Sequence, residues 1–183
     1  MKIDLYDDLK YSIILEVPHG IIDYYTDINI KLYADSEALV LFDDNLLYLK
    51  NIVDYYKSGV PELGGDIEEK KIGMLFNDYH KCIHEDKKDA NIILNGKGEW
   101  IGEKYCCFNS ISYASWLFKH NGMIVFKVTP LFTNFEKDDY KKRYTEFKRN
   151  YKDVISLKLD AFTLKGIGDK VLKFYQDHYK SHS

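Results

Sequence analysis

The dipeptide Asn121-Gly122 lies between SYASWLFKH and MIVFKVTPLF. Both residues tolerate the positive φ that a two-residue type I′ turn requires, so this is the strongest hairpin signal in the chain. A tight turn fixes the register of the strands that flank it. Phe118 is then opposite Val125, Leu117 opposite Phe126, Trp116 opposite Lys127 and Ser115 opposite Val128. Apolar residues fall on both faces of this ribbon, the pattern of strands covered on each side. Extended upstream, the stretch from Glu99 to Phe132 reads as three successive antiparallel strands.

The remaining elements follow from periodicity. Residues 2 to 6 and 9 to 17 read as strands, with Tyr11, Ile13, Leu15 and Val17 sharing one face. Asp27 to Tyr33 alternates in the same way, and Glu37 to Phe42 follows as a more continuously apolar strand, so the first third is a β-meander. Asp43-Asp44-Asn45 supplies N-cap residues for a helix over about 45 to 58, with Leu46, Leu49, Val53 and Tyr56 on one side. Gly59 and Pro61 end it, and the polar connection VPELGGDIEEKK is expected to be mobile. The stretch from Ile72 to Ile83 fits either a short helix or a strand. Asp138-Asp139 caps a helix over about 139 to 152, a strand spans Val154 to Asp160, and a last helix runs from Asp169 to about Lys180 with Leu172, Tyr175 and Tyr179 inward. Gly166-Ile167-Gly168 is expected to be a turn before that helix. The predicted architecture is one α+β domain over all 183 residues, an antiparallel sheet with about three helices packed against it.

Composition narrows the class. A chain with 45% hydrophobic residues is long enough to bury one substantial core. No apolar run approaches the ~20 residues of a membrane-spanning helix, and MKIDLYDDLKY lacks the apolar stretch of a signal peptide, so a cytoplasmic protein without membrane contact is expected. Cys82, Cys106 and Cys107 form no metal-ligand spacing and no even disulfide framework. The net charge of −3 hides an asymmetry: residues 1 to 69 carry 5 Lys against 15 Asp and Glu, the rest 21 Lys and Arg against 14. Such a division steers encounter with oppositely charged partners.

Motifs of catalysis are weak. His80 and His84 are four residues apart with Cys82 between them, a spacing that puts two imidazoles on one helix face. The order HKCIHE, however, lacks the glutamate that follows the first histidine in metalloproteases, and no metal or other cofactor is expected. No G-x-S-x-G elbow or phosphate-cradling glycine loop occurs. The helix at 139–152 carries Tyr140, Tyr144, Phe147 and Tyr151 on one side and Lys141, Lys142, Arg143, Lys148, Arg149 and Lys152 on the other. That pattern supports an alternative reading as a nucleic-acid-binding or regulatory domain, because single-strand binders combine cations with stacking aromatics. Aromatics at helical spacing more often face a core, and the overall negative charge disfavours phosphate backbones.

The motif GEWIGEKYCCF followed by the hairpin SYASWLFKHNGMIVFKVTPLF resembles small bacterial immunity-type proteins of polymorphic and contact-dependent toxin systems. The likeness covers about a fifth of the chain. It implies a cytoplasmic protein without catalysis of its own, whose partner is a cognate toxin domain, such as a nuclease. It carries over no binding residues, so these come from charge: the acidic first third would cover a cationic toxin surface. The toxin-binding candidates are Asp23, Asp27, Asp35, Glu37, Asp43 and Asp44, with Tyr24, Tyr25 and Tyr33 as aromatic anchors.

Overall fold

The computed structural model describes residues 1–18, 20, 22–34 and 37–179, the last of these by its backbone only. Asp35 and the side chain of Tyr179, both named above, lie outside the described residues. In chain order the elements are β1 (Lys2–Asp7), β2 (Tyr11–Glu16), β3 (Asp27–Ala34), β4 (Glu37–Asn45), α1 (Leu46–Lys57), α2 (Ile72–Glu85), β5 (Cys106–Asn109), β6 (Tyr113–His120), β7 (Met123–Pro130), α3 (Tyr140–Asn150), β8 (Ile155–Leu159) and α4 (Ala161–Tyr179). The class is α+β, and the described residues form two four-stranded antiparallel sheets and four α-helices. The chain falls into two compact units: Met1–Val60 with Phe108–Ser110 and Lys158–Ser183, and Pro61–Cys107 with Ile111–Leu157.

The first unit is built on the expected meander, in the order β1-β2-β3-β4. Ile13 and Leu15 pair with Leu32 and Ile30, so one face is a continuous apolar surface. These four side chains are buried together with Ile28, Leu41 and Phe42. Each buried Leu or Ile contributes about 1.5–3 kcal/mol, so this face outweighs the ion pairs opposite it. Asn45 caps α1 by accepting the Tyr48 backbone N–H at 2.9 Å, which buries Leu46 and Leu49.

At the C-terminus the structure corrects the sequence reading. Helix α4 begins at Ala161, not Asp169, and Gly166-Ile167-Gly168 lies inside it. The Asp160 carboxylate accepts the Thr163 N–H at 2.6 Å and its carbonyl accepts the Leu164 N–H at 3.1 Å. This cap nucleates the helix ahead of two glycines that each cost about 1 kcal/mol. A Cβ on Gly168 would lie 3.5 Å from Val53 Cγ1, which shows how closely α4 rests on α1.

In the second unit the Asn-Gly turn has the expected geometry, with φ of 50° at Asn121 and 76° at Gly122. All four cross-strand pairs derived from it are observed. Residues of both parities on β6 are buried, Ala114, Trp116 and Phe118 on one face and Ser115 and Leu117 on the other. The ambiguous stretch before residue 85 is a helix, α2. Phe76 meets Trp116 and Trp100 with ring centroids 5.1 and 5.9 Å apart. Asn77, buried, donates to the carbonyls of Gly73 and Pro130 and accepts the Phe132 N–H at 2.7 Å, clamping α2 to the end of β7.

Lys127 follows from the same register. Paired with Trp116, it points to the α2 face and is only 2% exposed. Its ammonium meets the Asp153 carboxylate at 2.9 Å, the Glu69 carbonyl at 3.1 Å and the Glu69 carboxylate at 3.7 Å. A buried cation is tolerated only with such partners. The connection expected to be mobile is anchored as well: the Leu63 N–H donates to the Lys119 carbonyl and the Lys119 N–H to the Pro61 carbonyl, both at 2.8 Å. The Tyr105 hydroxyl accepts the Gly64 N–H and donates to the Glu62 carbonyl.

Two glycines separate packing from propensity. A Cβ on Gly73 would intrude on Tyr151 Oη and Thr129 Oγ1, whereas one on Gly166 would meet open space. Gly73→Ala should destabilise by about 1–3 kcal/mol through overpacking. Gly166→Ala should stabilise by about 0.5–1 kcal/mol. Denaturant titration of both variants against the parent chain measures the two opposite signs.

Candidate functional site

Six of the candidate residues meet at one end of the first sheet. Asp23 organises a turn: its carboxylate accepts the Tyr25 N–H and the Thr26 hydroxyl, both at 3.0 Å, while its own N–H donates to Thr26 Oγ1 at 2.8 Å. The carbonyls of Tyr24 and Thr26 accept the N–H groups of Leu47 and Leu46. This seats the turn on the start of α1, where orphan helical N–H groups need acceptors. Across β3 and β4, Asp27 is opposite Asn45, Ile28 opposite Asp44 and Asn29 opposite Asp43. Asp23, Tyr24, Tyr25, Asp27, Asp43 and Asp44 therefore share one edge of the unit.

Tyr33 and Glu37 are elsewhere. Glu37 pairs with Ala34, seven residues along β3 from Asp27, or roughly 23 Å at about 3.3 Å per residue. The Tyr33 hydroxyl donates to Glu16 at 2.9 Å, part of a cluster in which Glu16 also binds Lys2 at 2.8 Å and Lys31 at 2.6 Å. Tyr33 thus serves the polar face of the sheet.

Sequence reasoning missed Tyr48. It lies off the Leu46, Leu49, Val53 and Tyr56 stripe, a spacing that itself signals an outward side chain. Its ring stacks on Phe42 at 5.9 Å and is 50% exposed. Tyr25 is 72% exposed, with Tyr24 held between it and Tyr175 at centroid distances of 6.4 and 5.8 Å. Two aromatic surfaces are therefore presented to water beside four exposed carboxylates.

These carboxylates, like Asp4, Asp7 and Glu37, form no ion pair among the described residues, whereas another set is paired. Glu16, Asp54, Glu68, Asp78, Glu85, Asp139 and Asp153 each have a lysine or arginine partner. Among the described residues, no basic side chain lies within ion-pair distance of Asp23, Asp27, Asp43 or Asp44. The first unit contains 10 Lys against 14 Asp and Glu and the second 16 Lys and Arg against 15. The charge asymmetry read along the sequence is thus smaller between the units, because Glu62, Asp66, Glu68 and Glu69 belong to the second unit and Lys165, Lys170 and Lys173 of α4 to the first.

The other motifs have structural uses. On α2, His80 packs against Phe76 at 4.4 Å, and burial lowers its pKa. His84 packs between Phe135 and Tyr140 at 5.3 and 5.0 Å. Among the described residues no three His, Cys, Asp or Glu side chains are grouped to hold a metal ion. Burial pushes the Cys106 thiol up to about 12 and raises that of Cys82, which suits small hydrophobes rather than nucleophiles. The aromatics of α3 face inward: Tyr144 is buried against Phe132 and donates to Asp78 at 2.8 Å, while Lys148 binds the same carboxylate at 2.9 Å.

Comparison with models of known protein families, with curated proteins and with solved structures found no match. Among the described residues, no helix is long and apolar enough to cross a membrane.

The Glu16 cluster predicts an acid-sensitive contribution to stability. Hydrogen bonds from Lys2, and then from Lys31, hold its carboxyl at about 2 against an ordinary 4.5. With the folded pKa depressed, the stabilisation is complete above the unfolded value and fades as pH falls toward 2. Glu16→Gln should therefore destabilise the chain at pH 6, and the difference should vanish near pH 2. Denaturant midpoints across that range provide the test.

Proposed function

We propose that this chain is an immunity-type protein that neutralises a cognate bacterial toxin domain by binding it, without chemistry of its own. The observation that carries the reading is the exposed Tyr25 and Tyr48 pair flanked by Asp23, Asp27, Asp43 and Asp44, carboxylates without ion-pair partners among the described residues. Exposed aromatics provide buried area on association, and unpaired carboxylates provide steering and specificity toward a cationic surface. A basic nuclease active site is the kind of surface that fits. The resemblance across Glu99 to Phe132 supports the same reading. The packing of the α3 aromatics, with Tyr144 buried and Tyr140 and Phe147 half-buried, weighs against its use as a stacking platform for nucleic acid.

The first test is co-expression of the tagged chain with the C-terminal domain encoded immediately upstream. The expected result is a one-to-one complex of about nanomolar affinity, near −12 kcal/mol, and restored growth. Tyr25→Ala and Tyr48→Ala should each weaken it by about 2 kcal/mol, chiefly through faster dissociation. The double change Asp43→Asn with Asp44→Asn should instead slow association and flatten its salt dependence. No complex and no rescue would refute the reading.

A further inference from the structure

The dipeptide Asn-Gly occurs twice, at 95–96 and at 121–122, both times on the surface. In this dipeptide the asparagine side chain is open to attack by the next backbone nitrogen, because glycine carries no Cβ to obstruct the approach. The two copies are held in different ways. Asn95 Oδ1 accepts the Lys97 N–H at 2.8 Å and the Glu99 N–H at 3.0 Å, and its Nδ2 donates to Glu99 Oε2 at 2.8 Å. Its backbone is engaged as well, the N–H donating to the Glu99 carbonyl at 2.7 Å and the carbonyl accepting the Gly98 N–H at 3.0 Å. The Asn121 side chain, by contrast, is exposed and forms no hydrogen bond among the described residues.

What restrains Asn121 is the turn itself. With a φ of 50° it lies in the left-handed region, where ψ is about +30 to +60°. That torsion places the Gly122 nitrogen on the far side of the Cα–C bond from Cβ, out of reach of the side-chain carbonyl carbon. Rotation of ψ through roughly half a turn brings the two together, and local opening of the exposed turn supplies it. At Asn95, attack on the side chain first requires its three hydrogen bonds to be released.

We propose that Asn121 is a site of self-modification, gated by the hairpin turn, whose deamidation takes the second unit irreversibly out of its native register. The Gly122 nitrogen attacks Asn121 Cγ, and the new C–N bond closes a five-membered imide. The bond from Cγ to Nδ2 breaks, and ammonia leaves with the proton of the Gly122 N–H. Water then opens the imide at either carbonyl. Opening at Cγ gives ordinary aspartate, and an Asp-Gly pair still suits a type I′ turn. Opening at the main-chain carbonyl of residue 121 gives isoaspartate, in which the backbone runs through Cβ and Cγ and is one methylene longer. A two-residue loop has no room for the extra atom. The pairing of His120 with Met123, and of each pair behind it as far as Trp116 with Lys127, depends on that loop.

The test ages the full chain in mildly alkaline buffer, folded and in denaturant, and measures conversion at both asparagines by peptide mass spectrometry. In denaturant the two sites should convert at similar rates. In the folded chain Asn121 should lead Asn95 by at least about fivefold while remaining at least about fivefold slower than in denaturant. The isoaspartate chain, isolated by chromatography, should unfold at a lower denaturant midpoint than the parent. Asn121→Asp, which brings the same charge on an ordinary backbone, should keep the parent's midpoint. Asn95 leading in the folded chain, or Asn121 reacting equally fast folded and unfolded, would overturn the proposal. So would no conversion of Asn121 while the denatured sample converts fully, an isoaspartate chain with the parent's midpoint, or an equal loss in Asn121→Asp, which would assign the effect to charge.

Discussion

The pairing of Trp116 with Lys127 across β6 and β7 is the constraint on which the second unit depends. It is set by a two-residue turn whose positive φ values Asn121 and Gly122 accommodate. A slip of one residue would turn every side chain of the ribbon to the opposite face. Trp116 Nε1 could then no longer donate to Thr129 Oγ1 at 2.8 Å, and the Lys127 ammonium would leave Asp153 and Glu69. Those two carboxylates belong to the segments flanking α2 and α3, so the cation ties both to the sheet. Its worth lies in specifying one arrangement more than in net energy, since a buried ion pair forfeits much of its attraction to desolvation.

The first unit reaches a similar end by different means. Its apolar face is an uninterrupted set of Ile and Leu side chains, and its opposite face is ordered by the Glu16 cluster with Lys2, Lys31 and Tyr33. Where β4 passes into α1, polar groups serve the backbone: Asn45 caps the helix, and the Asp23 turn supplies carbonyls to its first N–H groups. The local geometry is thus fixed by hydrogen bonds that leave Asp43, Asp44, Tyr25 and Tyr48 facing water. A preorganised surface of this kind binds with less loss of conformational freedom than a mobile one.

The difference between what was legible in the sequence and what was not follows the range of the interactions. The hairpin, the four-strand meander and the Asn45 cap depend on neighbours a few residues apart, and they are observed as expected. The start of α4 departs from the expectation because the Asp160 cap, nine residues before Asp169, outweighs the two glycines inside the helix. The connection after Gly59 looked mobile because its anchors, Lys119 and Tyr105, lie more than 40 residues away. At the candidate site, Asp23, Asp27, Asp43 and Asp44 were legible as a group because a meander returns β4 beside β3. Tyr33 and Glu37 were grouped with them by sequence proximity, although a strand carries its two ends far apart. The burial of Lys127 was implicit in the predicted register, but its carboxylate partners were not.

The central claim is that the edge bearing Tyr25, Tyr48, Asp43 and Asp44 is the surface that meets a toxin. Amide chemical-shift mapping of the labelled chain with the upstream toxin domain tests it most directly. The account predicts that the large perturbations fall on residues 23–29 and 43–48. Perturbations confined to α3, with the first unit unchanged, would contradict it.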